Sequence, residues 1–144
     1  MIVVVTGASQ GIGQAIATAF AGRDAAQVAL VARSRAKLEA TAAACEERGG
    51  EAMVVPTDVT DAAAVAEMAD TVTERWGPPD VLVNNAGMFS YAPLDELTLE
   101  GFREQIDVNL TGSFAVTQAF LPEMRKRSEA HLFYMASVAS IKAY

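Results

Sequence analysis

The sequence predicts a three-layer α/β fold built on a doubly wound parallel sheet with strand order 3-2-1-4-5. Three observations carry that expectation. Short runs of branched apolar residues alternate with longer segments at helical spacing, the pattern of βαβ units. The runs are continuously apolar, as expected where helices cover both faces of a sheet. A glycine-rich turn joins the first run directly to the first helical segment, and right-handed crossovers then place helices on both sides.

The strands are expected at Ile2 to Val5, Gln27 to Ala32, Ala52 to Val55, Val81 to Val83 and Leu132 to Ala136. The first helix carries Ile12, Ala15, Ile16, Ala19 and Phe20 on one expected inner face. The second turns Leu38, Ala42 and Cys45 inward before Gly49 and Gly50 end it. The third starts at Thr60-Asp61, turns Val65, Met68, Ala69, Val72 and Trp76 inward, and stops at Gly77-Pro78-Pro79. Trp76 reads as a packing residue.

A fourth helical region runs from Thr98 to about Arg127, with Phe102, Ile106, Leu110, Phe114, Thr117, Leu121 and Met124 three or four apart. Gly112 and Pro122 lie inside it, so a bend or break is expected near Asn109 to Gly112. Arg125-Lys126-Arg127 reads as a solvated cap whose charge complements the helix dipole. His131 reads as structural, with no Asp or Cys partner at motif spacing and no metal expected. There is no internal repeat or inter-domain linker, so residues 1–144 read as one domain.

Composition narrows the function classes. Half of the 144 residues are apolar and a fifth charged, the make-up of an ordinary globular domain. A formal charge of −7 argues against nucleic acid or an anionic membrane surface as partner, because both are held by clustered Lys and Arg. No apolar run is long enough for a membrane span, and the single Cys45 forms no internal disulfide, so a cytoplasmic protein is expected.

Any phosphate must then be held locally, and Thr6-Gly7-Ala8-Ser9-Gln10-Gly11-Ile12-Gly13 has the means. Its glycines permit a tight turn, a close approach of backbone to a pyrophosphate, and close packing of helix on strand. The free N–H groups and positive end of the helix attract the anion. Alone, such a cluster can also be only a turn.

The end of the second strand reads Ala32-Arg33-Ser34-Arg35, with no acidic residue to bond a ribose 2′-hydroxyl and repel a 2′-phosphate. Arg33 and Ser34 therefore favour NADP over NAD, although Arg33 and Arg35 are also readable as solvated charges opening a helix. Read from the residues alone, Asn84 and Asn85 form a turn, Asn109 a helix kink and Ser137 a helix cap or turn.

The spacing Gly7-x-x-x-Gly11-x-Gly13 resembles the short-chain dehydrogenase/reductase family. The likeness continues through Asp58-Val59, Asn84-Asn85-Ala86-Gly87, Asn109 and Ser137, in order and across the whole sequence. It implies a Rossmann-like fold and a hydride transfer between NADP(H) and a carbonyl or secondary alcohol. Gly7, Ser9, Gly11, Ile12 and Gly13 would then surround the pyrophosphate, and Asp58 and Val59 border the adenine. Asn85, Ala86 and Gly87 would line the ribose side of the cleft, while Met88 to Tyr91 and Leu94 to Thr98 form one wall of a substrate pocket.

Of the family's active-site set, the resemblance assigns Ser137 to orienting the substrate carbonyl and Asn109 to anchoring the proton-relay water. The Tyr-x-x-x-Lys pair does not occur within residues 1–144. Lys142 and Tyr144 are in reversed order and too near Ser137 to replace it. The domain is therefore expected to be incomplete at its C-terminal side, binding cofactor with negligible dehydrogenase activity by itself. A non-catalytic dinucleotide-binding or interaction module is the alternative. The long fourth helical region resembles the one that pairs subunits in the family, implying a homo-oligomer, dimer or tetramer.

Overall fold

The computed structural model of the chain describes residues 1–23 and 26–138; Lys142 and Tyr144 lie outside the described residues. Five parallel strands form one sheet in the order β3-β2-β1-β4-β5: β1 (Ile2–Thr6), β2 (Gln27–Ala32), β3 (Glu51–Pro56), β4 (Val81–Asn84) and β5 (His131–Tyr134). The helices are α1 (Gly11–Ala21), α2 (Arg35–Glu46), α3 (Ala62–Trp76), α4 (Leu99–Ile106) and α5 (Gly112–Met124), the last two joined by a π-helical turn, Asp107–Thr111. This is the expected Rossmann-like topology.

The period of two along a strand divides the core into two layers. Val3 and Val5 of β1, with Val28, Leu30, Val81 and Val83, pack against Ala17 and Ala21 of α1 and Leu38 and Cys45 of α2. Val4, with Ala29, Val31 and Leu82, packs against Val65, Met68 and Val72 of α3 and Val116, Phe120 and Met124 of α5. Cys45 is buried, and that desolvation raises its thiol pKa, with Glu46 adding and Arg48 opposing. Half-buried Trp76 packs on the second layer while its indole N–H donates to Glu51 Oε1 at 3.3 Å.

Four expectations need correcting. The buried residues of α1 are Gly13, Ala17 and Ala21; Ile12, Ala15 and Ala19 are exposed, and Ile16 and Phe20 are half-buried at the rim of the core. Small residues four apart let α1 lie close on the sheet. Because α1 is apolar nearly all round, periodicity could not select that face.

In the α4–α5 region the expected inner stripe begins outside: Phe102, Ile106, Leu110 and Phe114 are exposed, and the buried stripe is Gly112, Val116, Phe120 and Met124. The π-helical turn spans the expected break. Its one extra residue rotates the face of α5 by about 100° relative to that of α4, so no single stripe runs through both helices.

Strand β5 begins at His131 and ends at Tyr134, earlier than expected at both ends, because its partner β4 ends at Asn84. Met135 N–H donates to Asn84 O at 2.9 Å as the last rung. Lastly, Arg127 is not merely solvated. It pairs with Asp80, whose other carboxylate oxygen accepts the Ile2 N–H at 2.7 Å, so the end of the α5 segment is tied to the start of the sheet. No helix among the described residues is long and apolar enough to cross a membrane.

Candidate functional site

At the carboxyl ends of β1 to β4 lies a cavity of about 440 Å³, a size suited to a small-molecule ligand. The β1–α1 turn forms its floor. Ala8 N–H donates to Val31 O at 3.2 Å, and Thr41 Oγ1 of α2 donates to Ala8 O at 3.1 Å, so both neighbours of the turn hold its backbone. Gly7 has φ +66°, a left-handed conformation that a side chain would strain. A Cβ on Gly13 would stand 2.2 Å from Gly7 O and 2.5 Å from Asn85 Nδ2, so only glycine lets α1 enter the sheet so closely. Gln10 occupies the N-cap position of α1 without a side-chain cap bond, and Gly11, Ile12 and Gly13 of the first turn line the cavity.

Buried Thr6 joins this floor to β4. Its hydroxyl donates to Val83 O at 3.3 Å and accepts from Asn85 N and Ala86 N, each at 2.9 Å. Asn85 Nδ2 donates back to Thr6 O at 2.9 Å. Asn84 turns to the opposite layer, where its Nδ2 donates to Thr117 Oγ1 at 3.0 Å and its Oδ1 is buried without a hydrogen-bond partner. Thr117 donates its one proton to Ser113 O at 2.8 Å, so the Tyr134 hydroxyl, 2.8 Å from Thr117 Oγ1, is the donor in that contact.

The end of the cavity beside β2 and β3 is polar. Arg33 and Ser34 line it from the end of β2, Lys37 from the first turn of α2, and Asp58 and Val59 from beyond β3. Asp58 Oδ1 accepts from Thr60 N at 3.0 Å and Thr60 Oγ1 at 2.8 Å. These bonds, the backbone one foremost, lower the Asp58 carboxyl below its ordinary 3.8, with the Arg33 charge acting the same way. The anionic form therefore persists across the neutral range.

Every residue expected from the sequence to surround a dinucleotide lines this one cavity: Gly7, Ser9, Gly11, Ile12, Gly13, Arg33, Ser34, Asp58, Val59, Asn85, Ala86 and Gly87. The exposure of Ile12, at 63 %, fits its place at the cavity mouth and not in the core. Asn109 and Ser137 do not line it. Asn109 clasps the backbone of Met88, accepting Met88 N–H at 2.8 Å and donating Nδ2 to Met88 O at 2.9 Å, which anchors the segment after Gly87 to the π-helical turn. Ser137 lies exposed, three residues beyond β5.

Sequence reasoning missed Thr6, Thr41 and Lys37. A hydroxyl closing an apolar strand was a readable sign for Thr6. Thr41, one helical turn after Lys37, faces the buried side with Leu38 and Ala42. Nothing in the pattern separated Lys37 from a solvated surface lysine.

The chain matches the short chain dehydrogenase family over residues 1–144. It is 37 % identical over 150 residues to a sepiapterin reductase of Chlorobaculum tepidum, covering 99 % of this chain and 61 % of that protein. An alcohol dehydrogenase of Thermococcus sibiricus, solved with 5-hydroxy-NADP, superposes with a TM-score of 0.84 at 42 % identity, over 91 % of this chain and 56 % of that one. An NAD+-bound xylitol dehydrogenase gives 0.94 at 33 % identity, over 99 % and 55 %. The chain thus spans little more than half the length of these proteins.

Proposed function

The chain belongs to the short-chain dehydrogenase family, and from that premise we propose that its whole protein interconverts a carbonyl and a secondary alcohol with NADP(H) as hydride carrier. The observation that carries this reading is the single cavity onto which the glycine-rich turn, Arg33-Ser34, Asp58-Val59 and Asn85-Ala86-Gly87 all open. The lining suits a dinucleotide: a Cβ on Gly11 would meet nothing within 4 Å, so the turn presents bare backbone there, and the first turn of α1, with no side-chain cap at Gln10, lines the same cavity.

In this reading the amides of the turn and of α1 hold the pyrophosphate. Asp58 and Val59 border the adenine, Arg33 and Ser34 take the 2′-phosphate, and Asn85, Ala86 and Gly87 line the ribose side. When bound, the nicotinamide supplies or accepts the hydride. Ser137 orients the substrate oxygen by donating a hydrogen bond. Asn109 contributes through the Met88 segment that it holds. Relatives bind either cofactor, one with a modified NADP and one with NAD+, so the preference for NADP rests on this chain's own Arg33 and on the absence of an acidic residue from Ala32 to Arg35. We further propose a cytoplasmic homo-oligomer, dimer or tetramer, associating through the exposed apolar residues Phe102, Ile106, Leu110 and Phe114.

The test is NADPH-dependent reduction of a panel of activated ketones by the whole protein, monitored by loss of NADPH absorbance. Turnover is expected, falling on the order of a hundredfold in Ser137→Ala as the oxygen loses its donor. Turnover that Ser137→Ala leaves unchanged would overturn the assignment of Ser137; absence of turnover across a broad panel would count against the oxidoreductase reading.

A further inference from the structure

We propose that Lys37 is a second specificity-determining cation of the cavity, sharing the cofactor's 2′-phosphate with Arg33 and held for that purpose by Gln10. The inference rests on the NADP reading above and extends it to a residue outside the strand-end motif. Lys37 lies in the first turn of α2 and lines the cavity together with Gln10, Arg33 and Ser34. Its Nζ donates to Gln10 Oε1 at 2.8 Å, bridging the glycine-rich turn and α2 across the mouth of the adenosine side. An ammonium has three donors, so this bond leaves two for an anion. No carboxylate among the described residues forms an ion pair with Lys37.

Charge favours a second cation. The chain carries −7 overall, and Arg33 has the Asp58 carboxylate close enough to feel its field. A guanidinium whose field is partly offset by a carboxylate holds a phosphate dianion less strongly than an unopposed one, and a neutral Gln10 adds no charge of its own. Gln10 instead offers its carbonyl oxygen to Lys37, which brings a charge from α2 to the edge of the turn. A lysine tethered at one donor also loses less side-chain freedom on binding than a solvated one.

Calorimetric titration with 2′,5′-ADP and with 5′-AMP isolates the 2′-phosphate from all other cofactor contacts and from turnover. The unaltered protein is expected to bind 2′,5′-ADP the more tightly. Lys37→Gln is expected to weaken 2′,5′-ADP about tenfold, the scale of one charge-assisted contact, while moving 5′-AMP by less than about twofold and leaving the melting temperature in place. Lys37→Arg should retain most of the preference. If Lys37→Gln leaves the preference intact while Arg33→Ala removes it, the NADP reading stands and the role of Lys37 is overturned. Equal weakening of both ligands would reduce Lys37 to a brace for the turn, which also overturns it. Equal binding of both ligands by the unaltered protein would remove the NADP reading itself, and this inference with it.

Discussion

Strands β2 and β5 are both apolar, yet β2 is buried through its middle and β5 is exposed along its whole length. The difference lies in their neighbours. Strand β2 sits between β1 and β3 with helices on both faces, whereas among the described residues β5 pairs with β4 alone. The helices repeat the contrast: α1, α2 and α3 each bury a row of residues, and α4 buries none while presenting Leu99, Phe102 and Ile106 outward. An apolar pattern states that a surface is suited to burial; the position of the element in the sheet decides whether this chain supplies the cover. Most of the exposed large apolar side chains, Leu99, Phe102, Ile106, Leu110, Phe114, Leu132 and Phe133 among them, lie on this β5 and α4–α5 side.

Two phenylalanines on the same helix sharpen that contrast most. Phe120 is fully buried against α3 and the sheet, so Phe120→Ala is expected to cost about 3–5 kcal/mol in urea unfolding. A loss near zero would mean that the second core layer is wrongly described. Gly13→Ala tests the opposite failure, too much volume instead of too little. With its Cβ facing Gly7 O, α1 must shift outward, at a cost of roughly 1–3 kcal/mol and with the loss of NADPH binding. Unchanged stability and binding would show that the close approach of α1 is not required.

Phe114→Ala should have the smallest effect on stability, within about 0.5 kcal/mol, because Phe114 is 62 % exposed. Its consequence should appear in light scattering as a shift toward smaller species. A large destabilisation, with assembly unaltered, would mean that Phe114 belongs to the core and that the two sides of the sheet are less different than described.

Legibility in the sequence divides along the same line. Strand positions were legible because apolar runs bounded by Gly, Pro and Asp are short and continuous, and their order came from the crossover rule. The cavity residues were legible because glycine spacing and strand ends are fixed by backbone geometry. The inner face of α1 was hidden by its apolar circumference, and the inner stripe of α5 by the turn at Asp107–Thr111, which changes the phase of the helix without a marker in composition. The tether between Gln10 and Lys37 joins residues 27 apart in sequence, a contact that only the packing of α1 beside α2 brings about.

The proposal that the cavity at the carboxyl ends of β1 to β4 takes a dinucleotide bearing a 2′-phosphate is tested most directly by titration with NADPH and NADH in parallel. Saturable binding of both is expected, with NADPH the tighter and Arg33→Ala weakening NADPH by about 1–3 kcal/mol while sparing NADH. Equal affinities, or an Arg33→Ala protein that keeps its full preference for NADPH, would contradict the account.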